Sequence, residues 1–154
     1  MDRIAKYRRD LLMAADQTTT DPHWPVFINK LEAAELQFAQ GRPAAFKALW
    51  SRGDDVSLYG AFGGVVSGWK EVETRLDWAS SQYLEGKRGR EEISRFVGVD
   101  VAYIVQTEWI RARIARSAEP SLQELRVTMV FRREGDDWRI VHRHADSLLR
   151  TQTS

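Results

Sequence analysis

No cysteine occurs among the 154 residues. A disulfide framework and a cysteine-ligated metal site are both excluded, and the chain suits a reducing compartment. An excess of one charge sign is also missing. Charged residues make up 29% of the sequence yet balance to a formal net charge of +1. That argues against a nucleic-acid or membrane partner recruited by bulk charge. No apolar run approaches membrane-spanning length. The basic stretch 1–16 contains only a short apolar run at 11–15, too brief for a secretory h-region. No internal repeat or low-complexity segment is visible. Together these absences predict one soluble, cytoplasmic domain, long enough to bury a core.

What the sequence does hold is apolar periodicity, with six tryptophans spread through it. Ile4, Tyr7, Leu11 and Ala15 at helical spacing make residues 1–20 a helical arm or a tail. Pro25 suits a helix start. Phe27, Leu31, Ala34 and Phe38 form one apolar stripe, and Gly41 stands at the left-handed cap position. A short second helix from Pro43 carries Phe46, Leu49 and Trp50 and closes at Gly53. Residues 55–59 and 65–67 read as strand around Gly60, Gly63 and Gly64, which signal a tight turn or bulge. Ser67 is the expected N-cap of a third helix, with Trp69, Val72, Leu76, Ala79 and Tyr83 on one face and its end at Gly86. Residues 87–90, Lys-Arg-Gly-Arg, read as a solvated loop and a weak phosphate site. From Glu92 the period is two. Strands are expected at 93–99 and 102–115. After a loop at 117–121 comes a hairpin of 126–133 and 138–146, turning at Glu134-Gly-Asp-Asp137. Helices followed by long consecutive strands predict an α+β fold with an antiparallel sheet, one domain over residues 21–154.

The closing hairpin carries the candidate chemistry. In a regular strand, Trp138, Ile140, His142, His144 and Asp146 share one face; Arg139, Val141, Arg143 and Ala145 share the other. Histidine titrates near neutrality and serves as acid or base, and Asp146 can orient an imidazole or act itself. His144, His142 and Asp146 are therefore the catalytic candidates. The alternative makes both histidines hydrogen-bonded wall residues, or residues of a dimer face. Two registers compete. A two-residue loop pairs Val127 with His144; a shift by one pairs Arg126 with His144 and Thr128 with His142. The second gathers the polar groups on one face and leaves Val127, Met129 and Phe131 to an apolar layer. Arg126 then offers a donor fork to a ligand carboxylate or pairs with Glu108. Glu108 is correspondingly a raised-pKa acid or the partner of Arg126. Arg126, Thr128 and Glu108 are ligand-binding candidates, with Tyr59, Phe62, Trp69 and Trp78 as pocket walls or ordinary core. The two histidines have no third ligand fixed by spacing, so no metal site is expected.

Three stretches resemble the SnoaL-like and ketosteroid isomerase-like branch of the nuclear transport factor two-like superfamily. They are Asp55-Val-Ser-Leu-Tyr-Gly-Ala-Phe-Gly-Gly64 with Gly68-Trp-Lys-Glu-Val72; Ala102-Tyr-Ile-Val-Gln-Thr-Glu108; and Leu125-Arg-Val-Thr128 with Trp138-Arg-Ile-Val-His-Arg-His-Ala-Asp146. The resemblance covers roughly residues 25–150. It implies a cone: a strongly curved, mixed or antiparallel sheet packed on an N-terminal helical hairpin and a third helix, with an apolar pocket and dimerisation through the outer sheet face. Ketosteroid isomerases place a tyrosine on the first helix and an acidic base near the first strand. Here residues 26–40 contain no tyrosine and 60–64 no acid. Of the Asp-Arg-Asp set of limonene epoxide hydrolases, Asp146 and Arg126 supply two members. Scytalone dehydratase combines two pocket histidines with tyrosines, and His142, His144, Tyr59 and Tyr103 match it in residue type.

Two functions follow. The first is a small-molecule-binding protein with a cone pocket and cofactor-free acid–base catalysis of isomerase, dehydratase or cyclase type through pocket histidines. The second is a non-catalytic ligand-binding or dimerisation module. The ligand expected is a small apolar or carboxylate-bearing molecule, and the expected assembly is a homodimer.

Overall fold

The computed structural model describes residues 21–149 and 151–152; the arm or tail expected at 1–20 lies outside them. Helix α1 (His23–Ala39) buries Trp24, Phe27, Leu31 and Ala34 on the stripe the sequence shows. It ends where Gly41 takes φ 80°, a conformation that costs a Cβ-bearing residue about 1–2 kcal/mol. The short α2 (Ala44–Ala48) returns beneath it, ending before the expected Gly53. Strands β1 (Ser57–Tyr59) and β2 (Val65–Ser67) flank the glycine-rich turn. Helix α3 (Trp69–Ser81) follows. Its N-cap is Gly68 and no side chain caps it; Ser67 lies instead in β2, opposite Ser57.

Four long strands complete the chain: β3 (Tyr83–Val97), β4 (Val101–Ile114), β5 (Ser121–Glu134) and β6 (Asp137–Ser147). The sheet order is β2-β1-β6-β5-β4-β3. Every pairing is antiparallel except β1 with β6. Register shifts in β3 between Leu84 and Lys87 and between Glu92 and Ser94 bend that strand, as bulges do. The result is a curled, open, mixed sheet wrapped on three helices, an α+β cone. Among the described residues no helix is long and apolar enough to cross a membrane.

Two expectations are corrected here. Helix α3 stops at Ser81, not at Gly86, and Tyr83 opens β3. Residues 87–90 are not a solvated loop but the middle of β3, paired with Arg111, Ile110, Trp109 and Glu108. The inward positions of this stretch are Arg88, Arg90 and Glu92. A strand whose inner face is charged shows no apolar alternation, so the period-two signal is absent there.

Inside the cone, Trp24 meets Phe131 and Trp138 edge-on at 5.5 and 5.4 Å. This aromatic cluster anchors the first turns of α1 to the β5–β6 hairpin. The last turns of α1 are left to face a cavity.

Candidate functional site: a charged wall in the cone cavity

The cavity lies between the end of α1, α2, α3, the 60–64 turn and the inner sheet face. Its volume is about 60 Å³, room for roughly four to six water-sized groups. Phe38, Phe46, Leu58, Phe62, Leu76 and Ile110 give it an apolar body. One wall is charged: Glu35 from α1, Arg88 from β3, Glu108 from β4 and Arg143 from β6, with Arg75 from α3 also lining the space. Arg75 donates to the Gly63 carbonyl at 3.1 Å and stacks on Trp78 at 4.2 Å. A broader groove of about 550 Å³ runs between α1, α2 and the β5–β6 turn. It is open surface and contains no buried titratable group.

The charged wall is unevenly satisfied. Arg143 grips Glu108 with two hydrogen bonds, Nη1 to Oε2 at 3.0 Å and Nη2 to Oε1 at 2.9 Å. Gln106 Nε2 adds a third at 2.7 Å, and Arg88 Nη2 stands 3.5 Å from Oε1. Burial alone would raise the Glu108 carboxyl. The Arg143 charge and hydrogen bonds, helped by Arg88 and Gln106, outweigh it and hold Glu108 well below the usual carboxylate range. Glu35 is treated differently. Its Oε2 lies 2.5 Å from Arg88 Nη2, but the contact is not aligned as a hydrogen bond, and Glu35 Oε1 has no hydrogen-bond partner among the described residues. Burial, reinforced by the nearby Glu108 charge, outweighs Arg88, Arg143 and Arg90 and pushes Glu35 up to about 7. Two carboxyls on one wall are thus driven apart, one held toward its ionised form and one pushed up toward neutrality. Tyr83, also lining the cavity, donates its hydroxyl to Gln123 at 2.5 Å, and burial pushes it up to about 12.

Of the residues singled out in the sequence, Glu108 lines this cavity and Phe62 walls it. His142, His144 and Asp146 do not line it, because β6 is not regular. The β5–β6 turn is a two-residue loop, with Glu134 opposite Asp137 and Phe131 opposite Ile140. Beyond it the register shifts by one, and Val130 faces His142. Val141 is the extra residue. A bulge exchanges the two faces of a strand. Trp138 and Ile140 point inward before it, Arg143 and Ala145 after it, while His142, His144 and Asp146 turn to the outer face. The bulge sits where β6 changes its parallel neighbour, from the Leu49–Trp50–Ser51 segment to β1.

Neither register expected from the sequence is therefore formed: Arg126 faces Asp146 and Thr128 faces His144. The polar groups do gather on one face, opposite buried Val127, Met129 and Phe131, but that face is the outer one. Arg126 makes a bidentate pair with Asp146 at 2.8 and 2.9 Å, not with Glu108. Thr128 is half-buried beside it. Ser57 Oγ meets His142 Nδ1 at 2.7 Å. Tyr59 packs edge-on against His142 and His144 at 5.3 and 5.1 Å, and the His144 side chain is 47% exposed. Burial, then the His144 charge, depresses His142. Trp69 carries the Arg52 guanidinium over its ring at 3.8 Å. Trp78 backs Phe62 edge-on at 5.4 Å.

Glu35, Arg88 and Arg143 were not among the candidates. Glu35 had a readable signal: it stands four residues after Leu31 on the apolar side of α1, a charge at a core position. Arg143 alternates with Val141 and Ala145, and unbroken alternation from Trp138 would put it on the outer face.

Comparison with known proteins agrees with this architecture. The chain is similar to a dehydratase candidate of the nuclear transport factor two-like family from Streptomyces avermitilis, at 21% identity and a TM-score of 0.70, covering 86% of this chain and 98% of that one. It is similar to a ketosteroid isomerase-like protein from Erwinia carotovora atroseptica, at 12% identity and a TM-score of 0.68, covering 84% and 99%. A scytalone dehydratase candidate from Novosphingobium aromaticivorans aligns at 10% identity and a TM-score of 0.67, covering 92% and 89%. At such identities the likeness shows the fold alone. No curated protein matches the chain. The SnoaL-like domain family matches residues 30–149, a span that includes all four members of the charged wall, and the chain belongs to that family.

Proposed function

We propose that this protein binds a small molecule in the cone cavity and moves a proton on it, with Glu35 as the proton carrier. One observation carries the reading: a carboxylate oxygen, Glu35 Oε1, unpartnered among the described residues and buried on the charged wall of a cavity whose body is apolar. A carboxyl poised near neutrality gives and takes a proton in one cycle. Arg143 and Arg88 beside it favour an oxygen that gains negative charge. Glu108 keeps Arg143 in place and remains ionised. Isomerisation, dehydration and cyclisation all have this requirement. The ligand is a compact body resting on Phe38, Phe46 and Phe62, with a carbonyl or carboxylate at the charged wall. The outer-face histidines play no part.

The test is substrate-independent. Cyclopentanone, sized to the cavity, is incubated with the protein in D2O at pH 7, and loss of its α-proton signal is followed by NMR. Exchange above the buffer rate is expected from the wild type and not from Glu35→Gln; equal rates for the two would refute the role of Glu35. The same variant reports on the fold. Between its unfolded value near 4.5 and its folded value of about 7, Glu35 binds more proton in the folded state, so stability falls as pH rises through that window. Glu35→Gln is expected to remove this slope and to be more stable than wild type at pH 8 by about 3 kcal/mol, measured by urea unfolding from pH 5 to 8.

We also infer a homodimer through the outer sheet face, in a cytoplasmic setting that a cysteine-free chain suits. Phe96, Val101, Tyr103 and Trp109 are exposed there, and Phe96 stacks on Tyr103 at 6.0 Å. Contiguous exposed apolar surface of this kind marks an interface. Light scattering at micromolar concentration is expected to give twice the 17.7 kDa chain mass; the mass of a single chain would count against it.

A further inference from the structure

The cavity lining holds three arginines against two glutamates. Arg75 and Trp78 stand by the glycine-rich turn, so an anion passing that turn meets positive charge. At the wall itself the balance is even: Arg88 and Arg143 face Glu35 and Glu108. Among the described residues, the charges that act most on Glu35 belong to this count or its edge: Arg88 and Arg90 from β3, Glu108 from β4 and Arg143 from β6, with Glu32 on its own helix paired with Arg90. An incoming carboxylate would put three negative charges against two guanidinium groups on a recessed, largely buried wall. Such an excess is relieved by neutralising the acid that is held least firmly. Glu108 has three side-chain hydrogen bonds and cannot be that acid. Glu35 has one unaligned ion pair and one free oxygen.

We infer that the cavity takes small monocarboxylates together with a proton: the anion settles against Arg88 and Arg143, Glu35 becomes neutral, and its Oε1–H donates to the ligand. This rests on the cavity being the ligand site and deepens that reading by naming the ligand class and the protonation state in which Glu35 meets it. The proton comes from solvent and no bond in the ligand changes. An anionic ligand therefore finds Glu35 as an acid, ready to protonate a departing hydroxyl, whereas a neutral ketone finds it ionised in part.

The experiment is isothermal titration of the full chain with butyrate and with benzoate, at constant ionic strength, in phosphate and in Tris at pH 8. The heats in buffers of different ionisation enthalpy give the protons taken up per ligand. Close to one is expected for the wild type at pH 8, with affinity falling about tenfold from pH 7.5 to 8.5. Glu35→Gln is expected to bind both acids with no uptake and no such fall. Butyrate and benzoate themselves stay ionised throughout. Binding with zero uptake by the wild type overturns the coupling and leaves the cavity reading standing. No binding of either acid by the wild type overturns the assignment of the cavity to monocarboxylates, and the coupling with it. The wild-type buffer series decides the matter even if the variant folds poorly.

Discussion

Arg143→Met is expected to lower the stability of the domain by about 3–5 kcal/mol, the range for removing one partner of a buried ion pair. The reason is local. Glu108 is 3% exposed and takes two of its three side-chain hydrogen bonds from Arg143. Methionine fills much of the volume and removes the charge. What remains for Glu108 is Gln106 and an Arg88 that stands 3.5 Å away and is shared with Glu35. An ionised carboxylate then lacks most of its compensation in an apolar surround. Urea unfolding of Arg143→Met and of the double variant with Glu108→Gln gives the decisive comparison. The double variant is expected to recover more than half of the loss, since no charge is left stranded. If the single variant falls within 1 kcal/mol of wild type, the pair does not support the wall. The same variant is expected to lose carboxylate binding, which separates its two roles: the double variant regains stability and not affinity.

Gly86→Ala is expected to cost about 3 kcal/mol, at the upper end for overpacking. Gly86 lies in the bulged start of β3. A Cβ built on it would stand 2.0 Å from the carbonyl oxygen of Ala39 and 2.9 Å from the Ala39 Cβ. Two of those obstacles are backbone or rigid methyl, so relief requires the end of α1 to move away from β3. Glu35 is one turn back on that helix. Thermal unfolding should show the loss, and carboxylate affinity should fall with it, because Glu35 and Arg88 are carried by the two elements forced apart. By contrast, Gly89→Ala meets only the indole of Trp109, an exposed side chain that can swing clear. Equal losses at the two glycines would sink this account.

The contrast between what was legible in the chain and what was not follows from where periodicity survives. In α1, Phe27, Leu31 and Ala34 repeat at helical spacing and are buried. In β4, Ala102, Ile104 and Ile110 alternate and are buried. These strong patterns, with the order of elements, give an α+β fold with an antiparallel sheet; the cone comes from the family resemblance. They failed along Arg88, Arg90 and Glu92, where the inner face is charged and the outward residues no more apolar. The site failed for a second reason. Assigning the face of His144 from Trp138 requires counting by twos through Val141, and the count breaks at one inserted residue. Nothing in the side chains of Val141 or His142 announces the bulge, because its cause is non-local: β6 must serve Trp50 on one side of it and β1 on the other. Glu108 does line the cavity, but neither reading offered for it holds: its carboxyl is lowered, not raised, and its partner is Arg143, not Arg126. Glu35 is legible only as a charge at a core position of α1, four residues after Leu31.

That one-residue step in β6 has an evolutionary reading. Closing the bulge with Val141 kept and paired in the ladder would exchange the occupants of the two faces beyond it at a stroke. Arg143 would leave the cavity, and an imidazole pair with a carboxylate would enter. Substitution would need at least three coordinated changes to do the same. Among relatives sharing this cone, gain or loss of the bulge at constant length is a short route between an arginine-walled pocket and a histidine-walled one. The presence of the bulge, more than residue identity further along, is then the character by which to sort them.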